Sequence, residues 1–298
     1  MDKILDTSSY GICLFSLEIL QNFIKKEKIQ SKNILNKFQK DKKLYLETQK
    51  EGTWIPIVQI DSVGYVIKLD GYDKPFNDKW QQKLEYHGFN IEIKDTLCIS
   101  SIGMFYNFDV NDFSEYETSY QTLDGETLYK SFKYDVPSGK YLVSIKGYAR
   151  KQESVHYASH DNPDYGFLFS LVKVNEFDGF KNPRESEFYE FNIGWLTESK
   201  KAVIYWFSEE EGGRKEPPTD EEYCPVIELK NGKICRLYIK FDRINPTQNK
   251  MIDNCRVKML LYSSLDYLLS SNAEYIICEE SRKRGKLVIK KVGRMVIK

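Results

Sequence analysis

The chain has 298 residues, 41% of them apolar and 14% aromatic, which is enough for two domains rather than one small core. Its 44 basic and 44 acidic side chains cancel, which argues against general nucleic-acid binding through a large basic surface. No run approaches the roughly 20 apolar residues that cross a bilayer; the greasiest, Gly11–Ile24, is broken by Ser16, Glu18, Gln21 and Asn22.

Alanine occurs four times, against 21 Tyr and 17 Phe. Weak helix formers and strong strand formers together predict an α+β, β-rich chain: antiparallel sheets, a sandwich-like central domain, and a few helices at the N-terminus and near the C-terminus. The cysteines Cys13, Cys98, Cys224, Cys235, Cys255 and Cys278 are dispersed without C-x-x-C spacing. Met1–Tyr10 carries Asp2, Lys3 and Asp6 rather than an apolar signal core, so we expect free thiols in a cytoplasmic protein.

In chain order, Leu14, Leu17, Leu20, Phe23 and Ile24 are spaced for one helix face. Ser31 is placed to cap a second helix through Ile34, Leu35 and Phe38, and the lysine-rich Lys25–Lys43 reads as a solvated helix surface. From Trp54 the pattern turns to strands, through Ile60 and then Tyr65–Leu69. Pro75 and Asn77-Asp78 introduce a short helix with Trp80 and Leu84, followed by strands at Phe89–Ile93 and Leu97–Met104. Asp109–Glu126 is polar, with six acids and no base. Strands follow at Thr127–Tyr134, Tyr141–Tyr148 and Phe167–Val174; alternation puts Tyr141, Val143 and Ile145 on one face. The Pro137-Ser138-Gly139 segment predicts a reverse turn between two antiparallel strands. A boundary at 182/183 divides domains 1–182 and 183–298. The second contains strands at Phe188–Trp195 and Ala202–Phe207 and an acidic Gly/Pro loop at Glu209–Glu222. Then come a hairpin of Val226–Leu229 and Ile234–Phe241 around Asn231-Gly232, a helix at Leu260–Leu269, a strand at Ala273–Cys278 and an edge hairpin at Lys286–Ile297 around Gly293.

The inventory of catalytic groups is thin. Only three histidines occur. His156 and His160 have i,i+4 spacing, with Asp161 and Asp164 nearby, but the segment reads as a loop and no Glu follows His156. His87, before Gly88, fits a helix end. No G-x-S-x-G, no G-x-G-x-x-G and no Walker spacing occurs, and Gly212-Gly213-Arg214-Lys215 runs into prolines. We expect no enzyme, no cofactor and no metal. Charge partition is the stronger feature: Asp109–Glu126 and Glu209–Glu222 are acidic, while Glu279–Lys298 carries eight bases. Solubility is the plain explanation of such blocks. The functional one is a protein-binding surface built from Asp109, Asp112, Phe113, Glu115, Tyr116 and Glu117, with Glu209, Glu210 and Glu211 as a second acidic patch. Acids would steer a basic partner and aromatics would anchor it. The basic Arg282–Lys286 could grip nucleic acid, but its alternation fits better an edge hairpin guarded by lysines.

From Trp80 to Val174, about a third of the chain, the order of landmarks resembles the bacterial competence-nuclease inhibitor family. These are a Trp before a helix, Gly88-Phe89, Asp124-Gly125, the segment Phe132–Leu142 with its D-[VL]-P-x-G-x-Y turn at Asp135–Tyr141, and a closing strand after Asp164-Tyr165. More broadly the chain looks like the immunity proteins that guard bacteria against their own polymorphic toxins. The resemblance implies an inhibitor that binds a cognate toxin, such as a nuclease, and blocks its active surface, without nucleic acid or membrane as partner. The alternatives are a metal-dependent hydrolase using the His156/His160 loop and a non-catalytic structural or phage-associated interaction module.

Overall fold

The computed structural model describes residues 2–7, 9–151, 163–215, 218, 222–228, 234–241, 251–259, 269, 273–279 and 282–290, and of residues 198, 251–254 and 259 only the backbone. The chain forms two compact units, Met1–Thr197 and Glu198–Lys298. The division lies beyond the boundary expected at 182/183 because Phe188–Trp195 is not a strand. It packs on the first unit: Tyr189 lies 5.2 Å from Tyr86, ring to ring, and Phe191 lies 5.3 Å from Tyr86. Ile193 joins the same core, and helix α4 (Ile193–Glu198) follows.

The first unit contains β1 (Lys3–Asp6), β2 (Gly11–Phe15), α1 (Leu17–Lys26), α2 (Ile34–Lys40), α3 (Lys42–Glu51), β3 (Trp54–Val58), β4 (Gly64–Leu69), β5 (Trp80–Ile93), β6 (Thr96–Ser101), β7 (Glu117–Gln121), β8 (Thr127–Asp135), β9 (Gly139–Arg150) and β10 (Tyr165–Val174). Its strands form one sheet in the order β3-β2-β6-β8-β1-β4-β10-β9-β5, with β7 added on β8. Pairing is antiparallel except between β1 and β8 and between β4 and β10. Ile55 and Ile57 from one end of that order share a core with Phe89, Ile91 and Ile93 from the other. The sheet therefore curls on itself, barrel-like, and the expected sandwich is corrected. Large sheets with native twist reach this state when their strands bend.

Strand β5 supplies such bends. Two register shifts against β9, at Gln82/Leu84 and His87/Phe89, insert extra residues, and Gly88 takes φ +84°. The bulges also explain why Trp80 and Leu84 suggested a helix: an extra residue stretches the two-residue spacing of inward side chains until it mimics a helical one. Strand β9 keeps strict alternation, with Tyr141, Val143 and Ile145 buried as expected. The Pro137 turn does not make a hairpin. Strand β8 pairs with β6, β7 and β1, and β9 pairs with β5 and β10, so Asp135–Tyr141 crosses between non-neighbouring strands. It is pinned by the Val136 amide donating to Asp95 O at 3.0 Å and by Tyr141 Oη donating to Pro137 O at 2.6 Å.

Strand β2 is buried along its whole length. Its outer residues Cys13 and Phe15, with Trp54 and Cys98, are covered by α1–α3 and by the 3₁₀ turns Ile102–Asn107 and Val110–Phe113. Leu14 thus belongs to a strand, and the helix begins at Leu17. Asn33, rather than Ser31, caps α2 by accepting from Asn36 N at 2.9 Å. Helix α3 was not anticipated because its buried face is Tyr45, Thr48 and Gln49, mostly polar. Those polar groups are used: Trp54 Nε1 donates to Thr48 Oγ1 at 2.8 Å, and Gln49 Nε2 donates to Trp54 O at 3.2 Å.

The second unit contains β11 (Lys200–Trp206), β12 (Glu222–Tyr223), β13 (Val226–Glu228), β14 (Ile234–Phe241), β15 (Met251–Met259), β16 (Glu274–Glu279) and β17 (Arg282–Ile289). Strand β14 pairs with β13 and also with β15, which closes a ring β14-β13-β16-β17-β11-β15 of antiparallel strands around Ile204, Leu237, Ile277 and Leu287. Closure leaves these strands no free edge. The expected pairing of β13 with β14 is present; the Asn231-Gly232 turn, Gly293 and the Leu260–Leu269 helix lie outside the described residues, apart from Leu269, which is buried. The described part of the expected Lys286–Ile297 hairpin is not at an edge: β17 lies inside the ring between β16 and β11, and residues 291–298 lie outside the described residues. Among the described residues no helix is long and apolar enough to cross a membrane.

Candidate functional site

The acidic segment Asp109–Glu126 folds as the 3₁₀ turn Val110–Phe113 followed by β7. Phe113 is not a surface anchor. It is 1% exposed and packs edge-on against Phe15 at 5.3 Å, because the turn drives its ring into the layer of helices over β2. Tyr116 is 56% exposed, and its Oη donates to the Asp135 carboxylate at 2.8 and 3.0 Å. Asp109 is used structurally: it caps the turn through Asn111 N at 3.1 Å and pairs with Lys32 at 3.0 Å. The Asn111 amide, and then Lys32, hold its carboxyl below the usual carboxylate range. Asp112, Glu115 and Glu117 are exposed, and among the described residues their carboxylates make no ion pair. Strand β7 pairs only with β8, so its other edge carries no described strand.

Glu209–Glu211 belong to the second unit and form a 3₁₀ turn closed by a capping box, in which Glu211 accepts from Ser208 N at 2.8 Å. Glu209 and Glu210 are exposed. Two of the four basic residues of β17 are ion-paired: Lys286 with Glu274 at 3.1 Å and Arg284 with Glu279 at 3.0 Å. Glu279 also accepts from Arg214 Nε at 3.0 Å and from Tyr223 Oη at 2.7 Å. His87 is on β5, not at a helix end, with Nδ1 2.9 Å from Ser144 Oγ. His156 and His160 lie outside the described residues. Among the described residues no group of His, Cys, Asp and Glu is placed to hold a metal ion.

A cleft of about 940 Å³ opens elsewhere on the first unit. One wall is the α1 stripe Ile19, Phe23 and Lys26, at helical spacing; another is the end of α3, with Glu47, Lys50 and Glu51. Opposite lie Glu92 of β5, Lys140 of β9 and the turn after β10, with Phe177 and Phe180. Asn90 ties the parts together: its Nδ2 donates to Gly179 O at 2.8 Å and to Lys50 O at 3.4 Å. Gly52 ends α3 at φ +70° and accepts from Glu92 N at 2.7 Å. Ion pairs line the rim: Lys26 with Glu51, Lys50 with Glu47 at 3.8 Å, and Lys140 with Glu176. The bond to Glu51 raises the pKa of Lys26, and the bond to Glu176 raises that of Lys140, so both stay charged. Lys26 sits 5.6 Å from the Phe23 ring and Lys140 5.5 Å from the Phe177 ring. Thr53 borders the cleft but is 1% exposed, and its buried Oγ1 has no hydrogen-bond partner among the described residues.

Sequence reasoning missed the cleft. Its residues come from α1, α3, β5, β9 and the turn after β10, and no local pattern joins them. Only Gly52 after the α3 segment and the Phe177-Asp178-Gly179-Phe180 turn were visible as signals. No family model matches this chain, and no curated protein matches it.

Proposed function

We propose that the chain is a non-catalytic inhibitor of the immunity-protein type, which neutralises a basic toxin such as a nuclease by covering its active surface. The observation that carries this reading is the set of exposed acids Asp112, Glu115 and Glu117, without ion pairs among the described residues, beside the edge of β7 that carries no described strand. Unpaired exposed carboxylates do little for stability, but they steer and orient a basic partner. An open strand edge adds main-chain donors and acceptors that a partner segment can join. Tyr116, fixed by Asp135 and largely exposed, supplies aromatic contact area next to the acids.

The assay is inhibition of a purified candidate toxin of basic charge, sought among the products of neighbouring genes, with the intact chain and with Asp112, Glu115 and Glu117 all changed to Lys. The wild-type chain should inhibit stoichiometrically and the variant should not at equal concentration. Equal inhibition by both proteins would remove this face as the interface, and no inhibition by either would remove the inhibitor reading.

A further inference from the structure

We propose that the outer edge of β7 takes up an extended basic segment of a partner protein as an added strand, bonded to the outward main-chain groups of Glu117, Ser119 and Gln121. This deepens the inhibitor reading by naming the mode of recognition. It rests on that reading for the partner's identity, while strand addition itself is testable without the toxin.

The direction of the main chain follows from the two ends of the β7–β8 pair. Tyr116 O accepts from Lys133 N at 2.8 Å, and Thr122 N donates to Glu126 O at 2.9 Å. In an antiparallel pair the residues whose main-chain groups face the neighbouring strand alternate, so Tyr116, Thr118, Tyr120 and Thr122 turn theirs to β8. Glu117, Ser119 and Gln121 then turn theirs away, toward the edge that carries no described strand. Side chains alternate in step. Thr118 and Tyr120 are half-buried, and Tyr120 Oη donates to Asp6 at 3.0 Å, whereas Glu117, Ser119 and Gln121 are exposed.

The two strands that end the order of this sheet are guarded. Strand β3 contains Pro56 and is buried but for Val58, and β5 carries Lys83 and two bulges within its own chain; such devices keep an edge from pairing. Strand β7 has neither Pro nor Lys, and the extra residue at its register shift is Lys130 of β8, so β7 itself stays regular. What it has is Glu117, with Asp112 and Glu115 shortly before. Thr118 Oγ1 donates to Asp112 O, which holds the 3₁₀ turn against the start of the strand. Those acids select the occupant. A second copy of this chain, or any acidic strand, would bring like charge to them, while a Lys or Arg opposite Glu117 is attracted. The segment that fits alternates basic side chains beside Glu117 with apolar ones beside Thr118 and Tyr120.

The probe is a short peptide of alternating Lys and Val titrated into the full chain by calorimetry, with alternating Glu and Val as the control, and amide hydrogen exchange read residue by residue. The Lys peptide should bind at least tenfold tighter than the Glu peptide, and exchange at Glu117, Ser119 and Gln121 should slow several-fold in its presence. N-methylation of one alternate set of peptide amides should abolish binding and of the other set should not, because only one set faces β7. Ser119→Pro removes an outward donor and no bond to β8; it should weaken the peptide about tenfold with little change in Tm, and the N-methylated pair decides the matter if that variant unfolds. The proposal is overturned if the Lys peptide fails to bind at millimolar concentration, if Lys and Glu peptides bind alike, if the slowed amides lie elsewhere, or if both N-methylated peptides keep their affinity. Failure of the peptide with the toxin still inhibited removes strand addition alone, and peptide binding with no toxin inhibited removes the inhibitor reading alone.

Discussion

The ring of Phe177 lies directly on Gly52: a Cβ at Gly52 would come within 2.9 Å of both Cε2 and Cζ of that ring. The contact joins the end of α3 to the turn after β10, on either side of the cleft. Gly52 also sits at φ +70°, where a side chain is strained even without a neighbour. Gly52→Ala should therefore destabilise the first unit by roughly 1–3 kcal/mol. Adding Phe177→Leu should recover part of that loss, because it relieves the clash but not the backbone strain. Urea midpoints of the two single variants and the double variant test this; additive losses would show that the ring and the glycine do not couple.

Phe113 and Tyr116, three residues apart, should behave in opposite ways. Phe113 is packed among Phe15 and Phe108, so Phe113→Ala should cost about 3–5 kcal/mol of stability. Tyr116 is mostly exposed and loses its bond to Asp135 and a long cation–π contact with Lys133, 5.6 Å from its ring, so Tyr116→Ala should stay within about 1 kcal/mol. Thermal melts of the two variants are the measurement, and similar losses would mean that the turn Val110–Phe113 does not place Phe113 in the core.

That pair also shows how far the sequence could be read. Strand β9 and the pairing of β13 with β14 were legible because each side chain alternates between core and solvent, and local pattern suffices. Strand β5 was not, since its two bulges break the period. Helix α3 was hidden because Thr48 and Gln49 face inward to serve Trp54. Phe113 was misplaced because a single aromatic in an acidic run reads the same whether a 3₁₀ turn points it in or out. Ring closure of the second sheet is decided by pairings between strands distant in the chain, such as β14 with β15 and β11 with β17, and no local signal encodes those.

The cysteines offer a direct check on burial. None of the six is in a disulfide, with Cys13, Cys98 and Cys255 buried and Cys224 exposed. Burial pushes the Cys98 thiol up to about 12 and the Cys13 thiol up as well, so neither forms thiolate near neutrality. Native protein at pH 8 should label first at Cys224, while Cys13, Cys98 and Cys255 react only after unfolding. Peptide mapping of alkylated protein reads the order; early labelling of Cys13 or Cys98 would contradict the packing between sheet and helices.

Glu279 should set the acid sensitivity of the second unit. Burial alone would raise its carboxyl, but the bonds from Arg214 and Tyr223 and the charges of Arg214 and Arg284 outweigh that and hold it below the usual range. A carboxyl depressed in the folded state adds stability that is complete above its unfolded value, about 4.3, and is lost as pH falls through the folded value. Glu279→Gln should then destabilise the second unit by about 1–2 kcal/mol at pH 7. The gap between wild type and variant should close as pH drops below about 4. Denaturant melts from pH 7 to pH 3, followed through the second unit's Trp206, give the curve, and a gap that persists at pH 3 would rule out this linkage.

The charge-reversed face makes the strongest demand on the inhibitor reading. Asp112, Glu115 and Glu117 are exposed and without ion pairs among the described residues, so changing all three to Lys should alter stability by no more than about 1 kcal/mol. Its effect should fall on encounter with the toxin. Reversing three charges on a docking face removes long-range attraction and replaces it with repulsion, so the association rate at low salt should fall about tenfold or more. The difference should shrink as salt rises, because the screening length contracts from about 10 Å at 0.1 M to about 3 Å at 1 M. Dissociation should change less, since peripheral charges act mainly before contact. Tyr116→Ala should show the reverse pattern: nearly normal association but faster dissociation, as expected when an aromatic is removed from the contact itself. Stopped-flow association at two salt concentrations, with dissociation measured by competition, separates the two. If the charge-reversed chain associates at the wild-type rate in low salt, these acids are solubilising groups and this face is not the proposed docking surface.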